Sequence, residues 1–182
     1  MRARDIPNLL CVLRILLTVP VGWGVVTGRY ELALVLFFIA GFTDGLDGFL
    51  AKRFHWQSHL GGMLDPVADK LLLVTGFVTL WLAGYVPDWL LAAVVARDVV
   101  IVLGAGLYRW LIGAFEAEPT AISKFNSMLQ LGYVILTLSK LVFGMPAPAI
   151  IAALGWCVLA TTVISGLHYV LRWGARARAA GR

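Results

Sequence analysis

Charge is what this sequence has least of. Only 14% of its 182 residues are Asp, Glu, Lys or Arg, while 60% are hydrophobic; an ordinary soluble domain is roughly a quarter charged. A chain so poor in charge cannot cover a water-facing surface, which excludes a soluble globular fold. Cysteine is scarce as well. Cys11 and Cys157 both sit in apolar stretches, where a thiol most often behaves as a small buried hydrophobe, and a disulfide framework is excluded. The 19 Gly and seven Pro follow no period and are interleaved with Leu, Val and Ala, so neither collagen nor a disordered polymer fits. What remains is an all-α integral membrane protein, one domain over residues 1–182.

Crossing ~30 Å of hydrocarbon takes about 20 helical residues. Six such stretches are present, at approximately 8–27, 30–52, 64–85, 88–111, 122–143 and 149–172, separated by polar or Pro/Gly punctuation. Asp5-Ile6-Pro7-Asn8 reads as a cap before the first, and Gly144-Met145-Pro146-Ala147-Pro148 breaks the chain before the last. The first stretch is too long for a signal peptide and is read as a true span. Fifteen Lys and Arg against ten Asp and Glu would point to nucleic acid in a soluble protein, but in a membrane protein a basic excess is usually topological. Alternating sides place Arg2, Arg4, Lys52, Arg53, Arg109, Lys124, Arg172, Arg176, Arg178 and Arg182 on one side, against Arg29 and Lys140 on the other. By the positive-inside rule both termini and the 2–3 and 4–5 connections are cytoplasmic. No nucleic-acid partner is expected, and the simplest location is a cell (inner) membrane, multi-pass. The Trp residues, among them Trp23, Trp81, Trp89, Trp110 and Trp173, lie mostly near span ends, as interfacial residues do. Gly104 and Gly106 offer a place for close helix or subunit packing, or are ordinary membrane-helix glycines.

The acidic residues are distributed unlike a structural scaffold. Four of the ten fall between Asp44 and Asp69, where hydrocarbon meets the cytoplasmic interface and a carboxylate is costly unless paired or metal-bound. At ~100° per residue, Asp44, Asp47, Gly48 and Ala51 share one helix face, and so do Gly61, Gly62, Asp65 and Asp69 on the next helix. Two acidic faces flanked by glycine and joined by a short connection can converge on a space cleared of side chains. Such hard oxygen ligands describe a polar site at the cytoplasmic edge for one or two Mg²⁺, Mn²⁺ or Ca²⁺ ions, with room for a phosphate-bearing partner. The plainer alternative pairs Asp44 and Asp47 with Lys52, Arg53 or Lys70. Pro66 suits the first turn of the third helix, and His55 and His59 read as loop residues rather than zinc ligands. A small divalent-cation carrier would also place acids between helices, but predicts them at mid-bilayer with inverted repeats.

The pattern Asp44-x-x-Asp47-Gly48-x-x-Ala51-Lys52, then eight residues, then Gly61-x-x-x-Asp65-x-x-x-Asp69 resembles the signature of the CDP-alcohol phosphatidyltransferases. It matches at seven of eight positions, departing at Lys52, where the signature has Arg; Lys keeps the charge and loses the bidentate fork. Ile6-Pro7-Asn8 with Arg14, and Leu64 through Lys70, look like the phosphatidylglycerophosphate synthases and the cardiolipin synthases of that fold. Arg97-Asp98-Val99 and Pro119 through Asn126 are more similar to the cardiolipin branch.

The resemblance implies a donor such as CDP-diacylglycerol and two divalent metals, Mg²⁺ or Mn²⁺, with Asp44, Asp47 and Asp65 on one and Asp44, Asp65 and Asp69 on the other. It also implies Asp69 as the catalytic base toward the acceptor hydroxyl, and CMP as leaving group. Asn8, Gly48, Ala51, Lys52 and Gly61 are the expected donor and nucleotide contacts, helix capping being the other reading of Asn8. An anionic glycerol-type acceptor, glycerol-3-phosphate or phosphatidylglycerol, would be held by Arg97, Arg109 and Lys124; inositol phosphate or serine are the alternative acceptors. Arg97 lies deep in an apolar run, an expensive place for a cation, and Asp98 points about 100° away along the helix and reads as a weak partner. A homodimer is the implied oligomer.

Overall fold

The computed structural model describes residues 6–54, 59–112 and 120–180. It is helical throughout: α1 (Ile6–Val26), α2 (Tyr30–Arg53), α3 (His59–Leu82), α4 (Asp88–Ile112), α5 (Ala121–Phe143) and α6 (Pro148–Ala180). The breaks between helices follow from local chemistry. Gly28 and Gly84 take positive φ, and the residue after each donates back to the turn before it, Arg29 to Gly24 O and Tyr85 to Leu80 O. This αL ending satisfies carbonyls that the helix leaves without partners, and only glycine enters it without strain. Thr120 caps α5, its hydroxyl accepting from the Ser123 amide at 3.2 Å. Pro148 opens α6 at the position where a missing N–H costs nothing.

The residues form two compact units. The first comprises residues 1–86 and 134–147, the second 87–133 and 148–182, so α5 gives its second half to the first unit and its first half to the second. In the first unit α1 packs against both α2 and α3, which also touch each other. Val21, Val25, Ala33, Phe37, Leu72, Phe77 and Leu80 are buried there. Glycine permits the approach: a Cβ on Gly22 would lie 3.1 Å from Thr75, and one on Gly76 3.1 Å from both Phe37 and Val134. In the second unit α4 packs on α6. Leu90, Val94, Tyr133 and Val158 are buried, and Trp89 stacks on Trp156 with ring centroids 4.7 Å apart.

Among the described residues three helices are long and apolar enough to cross a membrane, at Asn8–Val26, Ala121–Phe143 and Pro148–Arg172. Every acidic residue within a helix lies on the other three, among them Asp44 and Asp47 on α2, Asp65 and Asp69 on α3, and Asp98 on α4. Large apolar side chains stand in the open, Val19 at 73% and Leu171 at 70% exposure. Patches of this kind are placed against lipid, not water, and the protein is membrane-associated.

Three sequence expectations need correction. Helix α3 begins at His59, not near residue 64, so Pro66 lies past its first turn and His59 opens the helix instead of lying in a loop. Helix α1 already includes Asn8, which removes the capping reading of that residue; Asp5 lies outside the described residues. Cys157 is exposed, and only Cys11 is buried. The close helix contacts fall at Gly22, Gly24, Gly76 and Gly155, and Gly106 has nothing within 4 Å of its would-be Cβ among the described residues, in keeping with an ordinary membrane-helix glycine. Gly76→Val should therefore force apart Phe37 and Val134 and cost about 1–3 kcal/mol. It should appear as a lower unfolding midpoint in detergent, while Gly106→Ala leaves the midpoint unchanged.

Candidate active site

The first unit holds the acidic helices, and its most constrained polar group is a cation. Arg14, on α1, is completely buried, and its Nη1 lies 2.6 Å from Oδ1 of Asp44 on α2. A guanidinium removed from water is tenable only beside a counter-charge. The packing of α1 on α2 thus both requires the Asp44 carboxylate and fixes where it stands. That carboxylate keeps 42% of its side-chain surface exposed. Arg14 was not among the candidate partners for Asp44; a lone Arg in an otherwise apolar helix was the signal for it.

On α3, which packs against the same α1, Asp69 is half-buried and follows the fully buried Ala68. Asn8 is half-buried in the opening turns of α1. The backbones of α2 and α3 carry the remaining donor and metal candidates at the expected helical positions. The side chains of Asp47, Gly48, Ala51, Lys52, Gly61 and Asp65 lie outside the described residues. Among the described residues no group of three metal-ligating side chains is assembled. The donor set nevertheless fits a hard divalent cation. Asp44 and Asp69 supply carboxylate oxygens on neighbouring helices, partly open to solvent, and oxygen is what Mg²⁺ or Mn²⁺ selects.

The second unit carries the expected acceptor residues. Arg109 lies outside the described side chains, and Lys124 is exposed at the start of α5. Arg97 is 5% exposed and held on three sides. Its Nη1 donates to Asp98 Oδ1 at 2.7 Å, and its Nη2 donates to the hydroxyls of Ser123 on α5 and Ser165 on α6. The expectation that Asp98 is a weak partner is thereby overturned. The Cα directions do diverge by about 100°, but the long Arg side chain curls back along the helix to reach its neighbour.

A polar layer not anticipated from sequence continues from there. Thr161 and Thr162 on α6 donate to Asn126 Oδ1 on α5 at 2.8 and 2.9 Å, and Gln130 is fully buried one turn further along α5. Its signal was the recurrence of Ser123, Asn126 and Gln130 at helical spacing within an apolar segment.

A family model for CDP-alcohol phosphatidyltransferases matches residues 4–166, running through both units. The chain belongs to the CDP-alcohol phosphatidyltransferase family. It is 34% identical to a probable cardiolipin synthase (CMP-forming) of Drosophila melanogaster over 91% of this chain and 56% of that protein. It is 31% identical to the human cardiolipin synthase (CMP-forming), over 94% of this chain and 62% of that protein. With the chloroplastic CDP-diacylglycerol–glycerol-3-phosphate 3-phosphatidyltransferase 1 of Oryza sativa subsp. japonica it shares 30% over 94% of this chain and 58% of that one. The chain thus spans less than two thirds of the length of these curated relatives. Membership of a phosphatidyltransferase family sets aside the cation-carrier reading.

For this phosphatidyltransferase domain the Arg97–Asp98 pair is a structural commitment as well as a charge. Asp98→Ala leaves a buried guanidinium without its counter-charge and should cost about 3–5 kcal/mol, read as a fall in the unfolding midpoint. Asp88→Ala, at the start of the same helix, should change it far less.

Proposed function

We propose that this protein moves a phosphatidyl group from CDP-diacylglycerol to an anionic glycerol-type acceptor, glycerol-3-phosphate or phosphatidylglycerol, and releases CMP. The family match over residues 4–166, with Asp44 through Asp69 inside it, carries the reading. Relatives named for both products, cardiolipin synthase and the glycerol-3-phosphate phosphatidyltransferase, support a glycerol-type acceptor.

In this proposal residues 1–182 act as one domain of six transmembrane helices in a cell (inner) membrane. Both termini and the acidic site face the cytoplasm, and the working form is a homodimer. The cytoplasmic excess of Lys and Arg supports this orientation. It also requires α2, α3 and α4 to cross despite their charges, which is reasonable for α4 because Arg97 is paired internally.

Asp44, Asp47, Asp65 and Asp69 would hold two Mg²⁺ or Mn²⁺ ions, and bound divalent ions supply charge neutralisation on the diphosphate. Asn8, Gly48, Ala51, Lys52 and Gly61 bind the nucleotide end of the donor, the small residues allowing its approach to the helix backbones. Asp69 takes the proton from the acceptor hydroxyl as that oxygen attacks the lipid-side phosphorus and the bond to CMP breaks. Arg14 keeps Asp44 in one orientation throughout. The acceptor's phosphate falls to Arg97, Arg109 and Lys124. Two of the three Arg97 nitrogens are engaged within the protein, so its contribution is its charge and the Nε–H.

The test incubates purified protein with CDP-diacylglycerol and Mg²⁺ or Mn²⁺, supplying glycerol-3-phosphate, phosphatidylglycerol, inositol phosphate or serine separately, and follows CMP and the lipid product. CMP release with one of the two glycerol acceptors is expected; no release with any acceptor removes the proposal. Asp69→Asn should retain CDP-diacylglycerol binding while turnover falls at least about a hundredfold. Retained turnover would remove Asp69 as the base.

A further inference from the structure

The buried polar layer of the second unit has hydrogen-bonding capacity that its own helices do not use. Asn126 is completely buried, and its Oδ1 accepts from Thr161 and Thr162, with Nδ2 left without a partner among the described residues. Gln130, also completely buried, has no partner at either Nε2 or Oε1 among the described residues. Arg97, pinned through Nη1 and Nη2, leaves Nε without a partner among the described residues. These groups form one stripe. Arg97 reaches Ser123, and Ser123, Asn126 and Gln130 follow one another at helical spacing on α5. A buried polar group that pairs with nothing is destabilising, and more so within a membrane. Retaining four such atoms in one stripe makes sense if a ligand pairs with them.

The atoms also specify the ligand. Arg97 Nε, Asn126 Nδ2 and Gln130 Nε2 are all donors, beside a fixed positive charge, and Gln130 Oε1 is the single acceptor. Their complement is an anion rich in oxygen acceptors that also carries a hydroxyl able to donate. An ammonium headgroup meets too few acceptors and a like charge.

We infer that the Arg97–Asn126–Gln130 stripe is the subsite that reads the hydroxylated part of the acceptor, a glycerol hydroxyl group beside a phosphate, with Gln130 the residue that selects for the hydroxyl. The inference rests on the proposed transferase reading and adds to it the side chains that discriminate between acceptors.

The experiment compares wild type with Gln130→Leu in detergent, with glycerol-3-phosphate and phosphatidylglycerol as separate acceptor arms. Because the amide has no partner among the described residues, the variant should fold with an unfolding midpoint equal to or above wild type when no ligand is present. The KM for the acceptor in the active arm should rise about tenfold or more, with the KM for CDP-diacylglycerol unchanged. Addition of that acceptor alone should raise the midpoint of wild type and not that of the variant. The arm that shows these effects identifies the source of the glycerol phosphate as soluble or lipid-borne. A variant that fails to fold or loses midpoint without ligand shows a structural amide and overturns the inference, as does an acceptor KM that stays at the wild-type value. If wild type releases no CMP with any acceptor, the transferase reading itself fails. If wild type is active and the variant keeps its acceptor KM, only the subsite assignment fails.

Discussion

A charge inside a membrane-spanning helix must be matched within the protein, because lipid offers it no hydrogen bond and little dielectric screening. Among the described residues of this membrane-associated protein, two buried arginines are matched in this way. Arg14 on α1 is matched by Asp44 on α2; Arg97 on α4 is matched by Asp98 and by hydroxyls from α5 and α6. Apolar packing and glycine-mediated approach bring the helices close. The cation fixes which faces meet, since rotating either helix away would strand a guanidinium in a low dielectric.

The same constraint links stability to chemistry. Asp44 serves as the counter-charge of Arg14 and is also one of the proposed metal ligands, so the side chain that steadies the α1–α2 contact is held in place for a metal whether or not one is bound. This is preorganisation from a packing requirement: the carboxylate need not be ordered when the substrate arrives. Asp69, half-buried on α3, has α3 packed against the same helix α1, which ties the proposed base to the same scaffold.

The acidic pattern was legible in the sequence because carboxylates are rare in apolar helices and their spacing follows the helix period; Asp44, Asp47, Asp65 and Asp69 could be inspected one by one. Helix number and most boundaries were legible for a related reason, glycine and proline marking the ends at Gly28, Gly84 and Gly144. The beginning of α3 was misplaced because its first turns, His59 through Gly62, are too polar and glycine-rich to read as membrane helix, although the backbone continues through them. The partner of Asp44 was missed because sequence neighbours were searched for a cation that is supplied from another helix. Asp98 was underrated because Cα direction alone ignores the reach of an arginine. The layer of Asn126, Gln130, Thr161 and Thr162 escaped because single hydroxyls and amides in an apolar segment carry little weight until the fold places α5 and α6 side by side.

The claim on which the account turns is that the acidic faces of α2 and α3 bind divalent metal on a scaffold held by Arg14. Titration of the purified protein with Mn²⁺, followed by electron paramagnetic resonance, tests it directly, with Asp65→Asn as the comparison because Asp44 also has a structural partner. Wild type should quench the free Mn²⁺ signal through saturable binding that Asp65→Asn loses, while the two proteins unfold at the same midpoint. Equal free Mn²⁺ signals over wild type and variant throughout the titration would contradict the account.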